Sequence, residues 1–235
     1  MTGLSWTGIA GEYRYDDLRS LMTRMTGDEK HTSSATSTLD VLWVLYDRIL
    51  SVTPSTMGDP HRDRFLLSKG HGPMAYYAVL VAKGFIPAGW LDTFGQLDSP
   101  LGHHPDRVLV PGVEISSGSL GHGLPLAVGV ALGQAGQGHC GRTYVLLGDA
   151  ELDEGTNHEA IAYAGATGLH GLTAVVVDNQ SATHGWPGGI ASRFSVNGWT
   201  TATVDGRNHT ALEAALRMMF PPHPHVVVAV VEPKE

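Results

Sequence analysis

The sequence predicts an α/β fold, a doubly wound, mostly parallel sheet with helices on both faces. Three observations predict it. Strand-like and helix-like signals alternate along the chain. Two apolar runs, residues 144–147 and 174–177, flank a segment long enough for a helix, which is the pattern of a βαβ unit with parallel strands and a right-handed crossover. No Ser/Gly tract, charge run, low-complexity segment or repeat divides the 235 residues, so residues 1–235 are expected to form one domain.

Taken in order, residues 16–25 and 38–50 read as helices. In the second, Leu39, Leu42, Leu45, Tyr46, Ile49 and Leu50 mark one apolar face. Residues 73–83 read as a helix opened by Pro73, a residue favoured there because a first-turn N–H has no partner to lose. Residues 124–134 read as a helix rich in Ala and Gly, able to pack closely. The strand 144–147 ends on Gly148-Asp149, a Gly- and acid-rich turn and a helix follow, and the strand 174–177 ends on Asp178-Asn179. Residues 226–231 read as a further buried strand.

Composition excludes several classes. The net charge is −8 and no basic patch appears, which argues against nucleic acid. No apolar run approaches membrane-spanning length, and the first residues lack a charged stretch followed by an apolar one, so neither membrane span nor signal peptide is expected. Cys140 is the single cysteine, which rules out an internal disulfide. Together these point to a cytoplasmic protein.

Ligands of open parallel sheets sit outside the carboxyl ends of the strands. Asp149 and Asn179, thirty residues apart, are polar residues at two such ends. A carboxylate and a carboxamide offer hard oxygens, which Mg²⁺ and Ca²⁺ prefer, and Mg²⁺ is commonly shared with substrate phosphates. Gly148 permits close backbone approach, and N–H groups of such turns cradle phosphate oxygens. The plainer reading makes Asp149 a helix-capping acid and Asn179 a turn residue. The segment contains neither a P-loop nor a G-x-G-x-x-G helix start. Thirteen histidines raise a zinc alternative, weakened by the lack of a Cys pair or H-E-x-x-H.

At these residues the chain resembles the thiamine diphosphate (ThDP) signature, GDG or GDA followed about thirty residues later by Asn. More narrowly, it resembles the transketolase family almost end to end. Residues 63–72, DRFLLSKGHG, match RDRFxLSxGHG, and residues 102–106, GHHPD, match GHP[ED]. Residues 112–123, GVEISSGSLGHG, match GVExxTGxLGxG. Residues 148–155, GDAELDEG, with His158-Glu159-Ala160, match GDGxLxEGxxxEA. Ala150 replaces the usual third glycine, and the residues after Val231 do not read as the family's KGKG-type loop.

The resemblance implies a ThDP-binding fold and the diphosphate-binding half of a split enzyme. Asp149, Asn179 and the carbonyl of Ser181 would hold Mg²⁺, or Ca²⁺ in its place. The metal, His71 and the amide of Ala150 would hold the diphosphate, beside Gly148. Gly118, Ser119 and Leu120 would face the aminopyrimidine. His31 would lie near the thiazolium and His104 near the sugar, imidazoles being suited to moving protons near neutral pH. Glu154 and Glu159 match acids near a subunit contact, although solvated helix-start acids read the same way. The implied reaction moves a two-carbon ketol unit from a ketose or its phosphate to an aldose or its phosphate. The implied partner is a separate C-terminal transketolase subunit that supplies the activating glutamate, in a dimer of heterodimers. Alternatives are the α-type subunit of an oxo-acid dehydrogenase, part of a deoxyxylulose-phosphate synthase-like enzyme, and a degenerate, non-catalytic assembly module.

Overall fold

The apolar runs pair as parallel strands. The computed structural model describes residues 13–27 and 32–233. Its sheet comprises β1 (Arg64–Leu67), β2 (Thr143–Gly148), β3 (Leu172–Asp178), β4 (Thr200–Asp205) and β5 (His225–Val230), in the order β1-β2-β3-β5-β4. Every pairing is parallel. The register sets Gly148 opposite Val177, and both Asp178 and Asp205 opposite Val230, so these carboxyl ends are nearly level.

Seven α-helices are described: α1 (Leu18–Met22), α2 (Thr32–Val44), α3 (Met74–Ala82), α4 (Gly123–Gly136), α5 (Gly155–Ala166), α6 (Gly189–Ser195) and α7 (His209–Arg217). Side chains alternate across each strand, as the period of two requires. Phe65, Tyr144, Leu146, Val175, Val177 and Val227 join α1, α2, α3 and α7 in one core. Leu66, Val145, Leu147, Val176 and Val226 join α4, α5 and α6 in the other. The doubly wound fold expected from the sequence is therefore the one observed. Strands β2 and β3 are buried along almost their whole length because both sheet faces are covered.

Boundaries differ from the expectations in places. The second helix starts at Thr32, six residues early, and its final turn, Leu45–Ile49, is π-helical. The first is shorter, with a 3₁₀ turn at Tyr15–Asp17 leading into α1. No helix among the described residues is long and apolar enough to cross a membrane.

Helix α5 runs close to the turn before β4. A Cβ added to Gly165 would lie 1.7 Å from the Asn197 carbonyl oxygen, a backbone atom that cannot swing aside. Gly165→Ala is expected to cost about 3 kcal/mol or more. The urea unfolding midpoint checks this, and an unchanged midpoint would refute such close packing.

Candidate cofactor site

Three loops at the carboxyl ends of β1, β2 and β3 build the site. Asp149 follows β2 directly, and its N–H donates to the Val177 carbonyl at 3.1 Å. Its side chain is buried (2 % exposed), as is that of Asn179 beyond β3 (4 % exposed). The Asp149 carboxylate accepts from the Ser181 N–H at 2.6 Å, the Ser181 hydroxyl at 2.6 Å and the Ala182 N–H at 3.1 Å. Gln180, at φ +56°, is the one described non-glycine residue in the left-handed region. That costly conformation is the sort of local strain concentrated at binding turns, and here it precedes the Ser181 contact with Asp149.

Asn179 Oδ1 is buried and makes no hydrogen bond. An orphaned buried acceptor normally costs 1–3 kcal/mol, roughly, a cost that a bound cation or an ordered water would relieve. The register sets Gly148 opposite Val177, which brings Asp149 and Asn179 to neighbouring strand ends, and a carboxylate and a carboxamide there offer hard oxygens of the kind a divalent cation prefers. Ser181 reaches Asp149 through its N–H and hydroxyl, whereas the resemblance assigns a metal-facing role to its carbonyl. Among the described residues no group of three or more His, Cys, Asp or Glu side chains could hold a metal, so the histidines build no zinc centre there.

Sequence reasoning passes over Glu151, which organises the site's glycines. It lies in a 3₁₀ turn, Ala150–Asp153, and is 1 % exposed. Its carboxyl accepts from the Ser68 hydroxyl, from the Gly121 N–H at 3.1 Å and from the Gly148 N–H at 3.4 Å. Ser68 Oγ in turn accepts from the Gly123 N–H at 3.0 Å. One acid thus ties the end of β2, the turn after β1 and the start of α4. Burial pushes its pKa above the usual carboxyl range, against the lowering effect of these donors. Lys69 is likewise missed. Its stem lies against Gly148, and its ammonium donates to the Ser34 carbonyl at 2.9 Å and to Ser37 Oγ at 3.0 Å on α2. Both residues fall inside the quoted motifs, at positions that read as spacers.

The loop after β1 and the segment joining α3 to α4 bring His71 and His104 together, their rings edge to face with centroids 4.9 Å apart. Gly118 (φ +133°) lies beneath: a Cβ there would be 2.6 Å from His104 Cδ2. A Cβ on Gly70 would be 2.7 Å from the Gly118 nitrogen. Ser117 Oγ, between them, is buried without a hydrogen bond. This is a backbone-lined cradle with two imidazoles at its edge and a second orphaned oxygen. Ser119 is exposed, Leu120 and Ala150 are half-buried, and the Leu120 carbonyl lies 3.2 Å from His122 Nδ1. Glu154 and Glu159 are exposed at the start of α5. His31 lies outside the described residues. The RDRF and GVE motifs meet elsewhere, where Arg64 sits 3.8 Å from Glu114.

Residues 22–220 match the family model for the transketolase thiamine diphosphate binding domain. The chain belongs to the transketolase family. It is 56 % identical over 221 residues to "Ferredoxin fas2" of Rhodococcoides fascians, spanning 94 % of this chain and 73 % of that one. It is 36 % identical over 206 residues to one subunit of the apulose-4-phosphate transketolase of Actinobacillus succinogenes, spanning 85 % and 75 %. A solved transketolase of Pichia stipitis superposes with a TM-score of 0.81 at 27 % identity, over 92 % of this chain and 35 % of that one. The chain thus spans about a third of that solved transketolase. In the transketolase family the domain that binds ThDP is the one matched here, and Asn179 at its strand end and Ser117 in its cradle are buried oxygens left unpaired.

Proposed function

We propose that this chain is the diphosphate-binding subunit of a two-component transketolase. The observation that carries the reading is the buried Asp149 carboxylate and the orphaned Asn179 oxygen, at neighbouring strand ends of a transketolase ThDP-binding domain. The Actinobacillus relative is named as a single subunit of its transketolase, which supports a separate partner here. That partner would supply the pyrimidine-binding half and the activating glutamate. Residues 1–235 serve as one binding unit, and a dimer of heterodimers in the cytoplasm is the assembly we favour.

Asp149, Asn179 and the Ser181 carbonyl would hold Mg²⁺, with Ca²⁺ as a substitute, because hard oxygens and few protein ligands suit a metal shared with a diphosphate. His71 and the Ala150 and Gly148 amides would hold the phosphate oxygens. Gly118, Ser119 and Leu120 would face the aminopyrimidine. When bound, ThDP supplies a nucleophilic carbon and an electron sink. The chain's own work is to orient and to move protons. His104, with His31, would donate to sugar oxygens and hold a proton during transfer of the two-carbon unit from ketose to aldose, free or phosphorylated.

The 56 % identical relative named as a ferredoxin favours a second reading, in which ThDP chemistry feeds electrons to an iron–sulfur protein, as in an oxo-acid oxidising enzyme. These residues do not carry a cluster themselves, since a cluster of that kind takes four thiolates and the chain has one cysteine.

Native mass spectrometry of the full chain recovered from its source organism tests both readings. The expected result is a complex with a second polypeptide, ThDP and a divalent metal. That complex should transfer a ketol unit between a ketose and an aldose. Turnover only with a 2-oxo acid and a one-electron acceptor would replace the first reading with the second. A lone chain that takes up no ThDP with Mg²⁺ present would leave the non-catalytic module.

A further inference from the structure

The carboxyl ends of β4 and β5 hold a second feature that the ThDP site does not use. A cavity of about 700 Å³ opens there, and every side chain lining it is polar. At its base is Asp40 of α2, 4 % exposed. The Asp40 carboxylate accepts from the Tyr15 hydroxyl at 2.5 Å, from His209 Nε2 at 2.8 Å and from Arg207 Nη1 at 2.6 Å. Arg207 also holds Glu232, through Nη2 at 2.6 Å and Nε at 2.9 Å. Both acids of the cavity are therefore already engaged by one guanidinium.

The donors left over point to the ligand. The side chain of Arg19, exposed on α1 at the rim, makes no direct ion pair or hydrogen bond with another described residue, although its charge adds, after that of Arg207, to the lowering of the Glu232 pKa. Asn208 uses its carbonyl oxygen to cap α7, accepting from the Ala211 N–H at 3.1 Å, which leaves its amide N–H₂ to donate. The carboxylate only accepts, so His209 Nε2 must carry the proton. Nδ1 is then an acceptor in the neutral ring and a donor in the protonated one. His209 is held in place by its edge-to-face contact with Tyr15, centroids 4.6 Å apart. The result, among the described residues, is a guanidinium whose N–H groups make no direct hydrogen bond, an amide donor and an imidazole nitrogen around an open space. Charge-assisted hydrogen bonds from such a set suit an oxyanion, and Nδ1 suits a neighbouring hydroxyl.

We propose that this cavity is a second small-molecule site, for a hydroxylated oxyanion of the sugar-phosphate class. It goes beyond the transketolase reading and does not depend on it. A mere structural staple would need the Asp40 hydrogen bonds but not the open space beside them, nor Arg19 at its rim. Helix α2 is a wall common to both sites: Arg207 donates to its Thr36 carbonyl at 3.0 Å, and Lys69, beside Gly148, donates to its Ser34 carbonyl.

The test is isothermal titration of the full chain, saturated with ThDP and Mg²⁺, using D-ribose 5-phosphate, inorganic phosphate and D-ribose as probes. Arg19→Ala and Arg19→Glu are the variants, with Arg19→Lys as the charge-conserving control. Arg19 is exposed, so these proteins should fold, and an unchanged thermal midpoint verifies that. The expected result is ribose 5-phosphate binding that weakens roughly tenfold or more in Arg19→Ala, is lost in Arg19→Glu and persists in Arg19→Lys. Inorganic phosphate should bind more weakly at the same site, and D-ribose not measurably. ThDP affinity, titrated separately, should be the same in all four proteins. Ribose 5-phosphate binding indifferent to the Arg19 substitutions, or no binding by either phosphate probe, would overturn the proposal. If the chain takes up no ThDP, the same titrations are made without it, so the two proposals fail separately.

Discussion

Asp149→Ala is expected to lower affinity for ThDP in the presence of Mg²⁺ by about 100-fold or more, since losing even an outer-shell support of a metal typically costs 10–100-fold. The carboxylate is the sole formal negative charge we assign to the metal, and Asn179 alone offers one neutral oxygen. The substitution also removes the acceptor for the Ser181 N–H, the Ser181 hydroxyl and the Ala182 N–H. These donors can turn to water in a half-buried turn, so the fold should lose only about 1–3 kcal/mol. Asp149→Asn separates the two effects. Its carboxamide keeps the shape and an acceptor oxygen but not the charge, so stability should recover more than cofactor affinity does. Titration of ThDP by intrinsic fluorescence, beside a urea unfolding curve, reads both. An Asp149→Ala protein that binds ThDP within threefold of the parent would sink the assignment.

A larger effect on stability is expected at Glu151. Glu151→Ala strips the shared acceptor from Ser68, Gly121 and Gly148, all in the buried interior of the site. Three buried donors without an acceptor should cost about 3 kcal/mol or more. The loosened Gly148 and Gly121 turns should also weaken ThDP binding by roughly tenfold, the scale of losing a positioning residue. Glu151→Gln should be much milder. Burial already disfavours the charged carboxyl, and the carboxamide retains an oxygen for Ser68 and Gly121, giving up only the longer 3.4 Å contact with the Gly148 N–H. If Gln proves as damaging as Ala, charge rather than acceptor geometry holds the turns, and our account of Glu151 is wrong. Chemical unfolding of the three proteins in parallel decides it.

How much of the fold is legible in the sequence depends on how completely each segment obeys one force. Strands β2 and β3 are covered on both faces, so they are continuous apolar runs, and their polar ends mark the ligand edge without further information. Strand β4 escapes notice because it is an edge strand with alternating exposure, and its Thr-rich sequence looks like a loop. The expected start of α2 falls six residues late because Thr32-Ser33-Ser34-Ala35-Thr36-Ser37 has weak helix propensity; packing against α3 and the Lys69 contact override it. Helix α7 carries a legible apolar face in Leu212, Ala215 and Leu216, yet the sequence reading passes over it. Within the site, Asp149 and Asn179 stand out because each has a strand end to mark it. Glu151 does not, because an acid two residues past such a turn reads as solvated, and nothing local reveals that the turns after β1 and before α4 close over it.

The strand order has a consequence for how the chain comes off the ribosome. β3 pairs with β5, and β4 pairs only with β5, although β4 is made first. Until residues 225–230 emerge, the nascent sheet can hold three strands, and the outer edge of β3, Leu172-Thr173-Ala174-Val175-Val176-Val177, is unpaired. An open apolar edge of that kind recruits whatever strand is nearby. Synthesis at roughly 5–20 residues per second leaves that edge waiting for several seconds. The late strand therefore acts as a latch, and the interval before it arrives is when a chaperone would have most to protect.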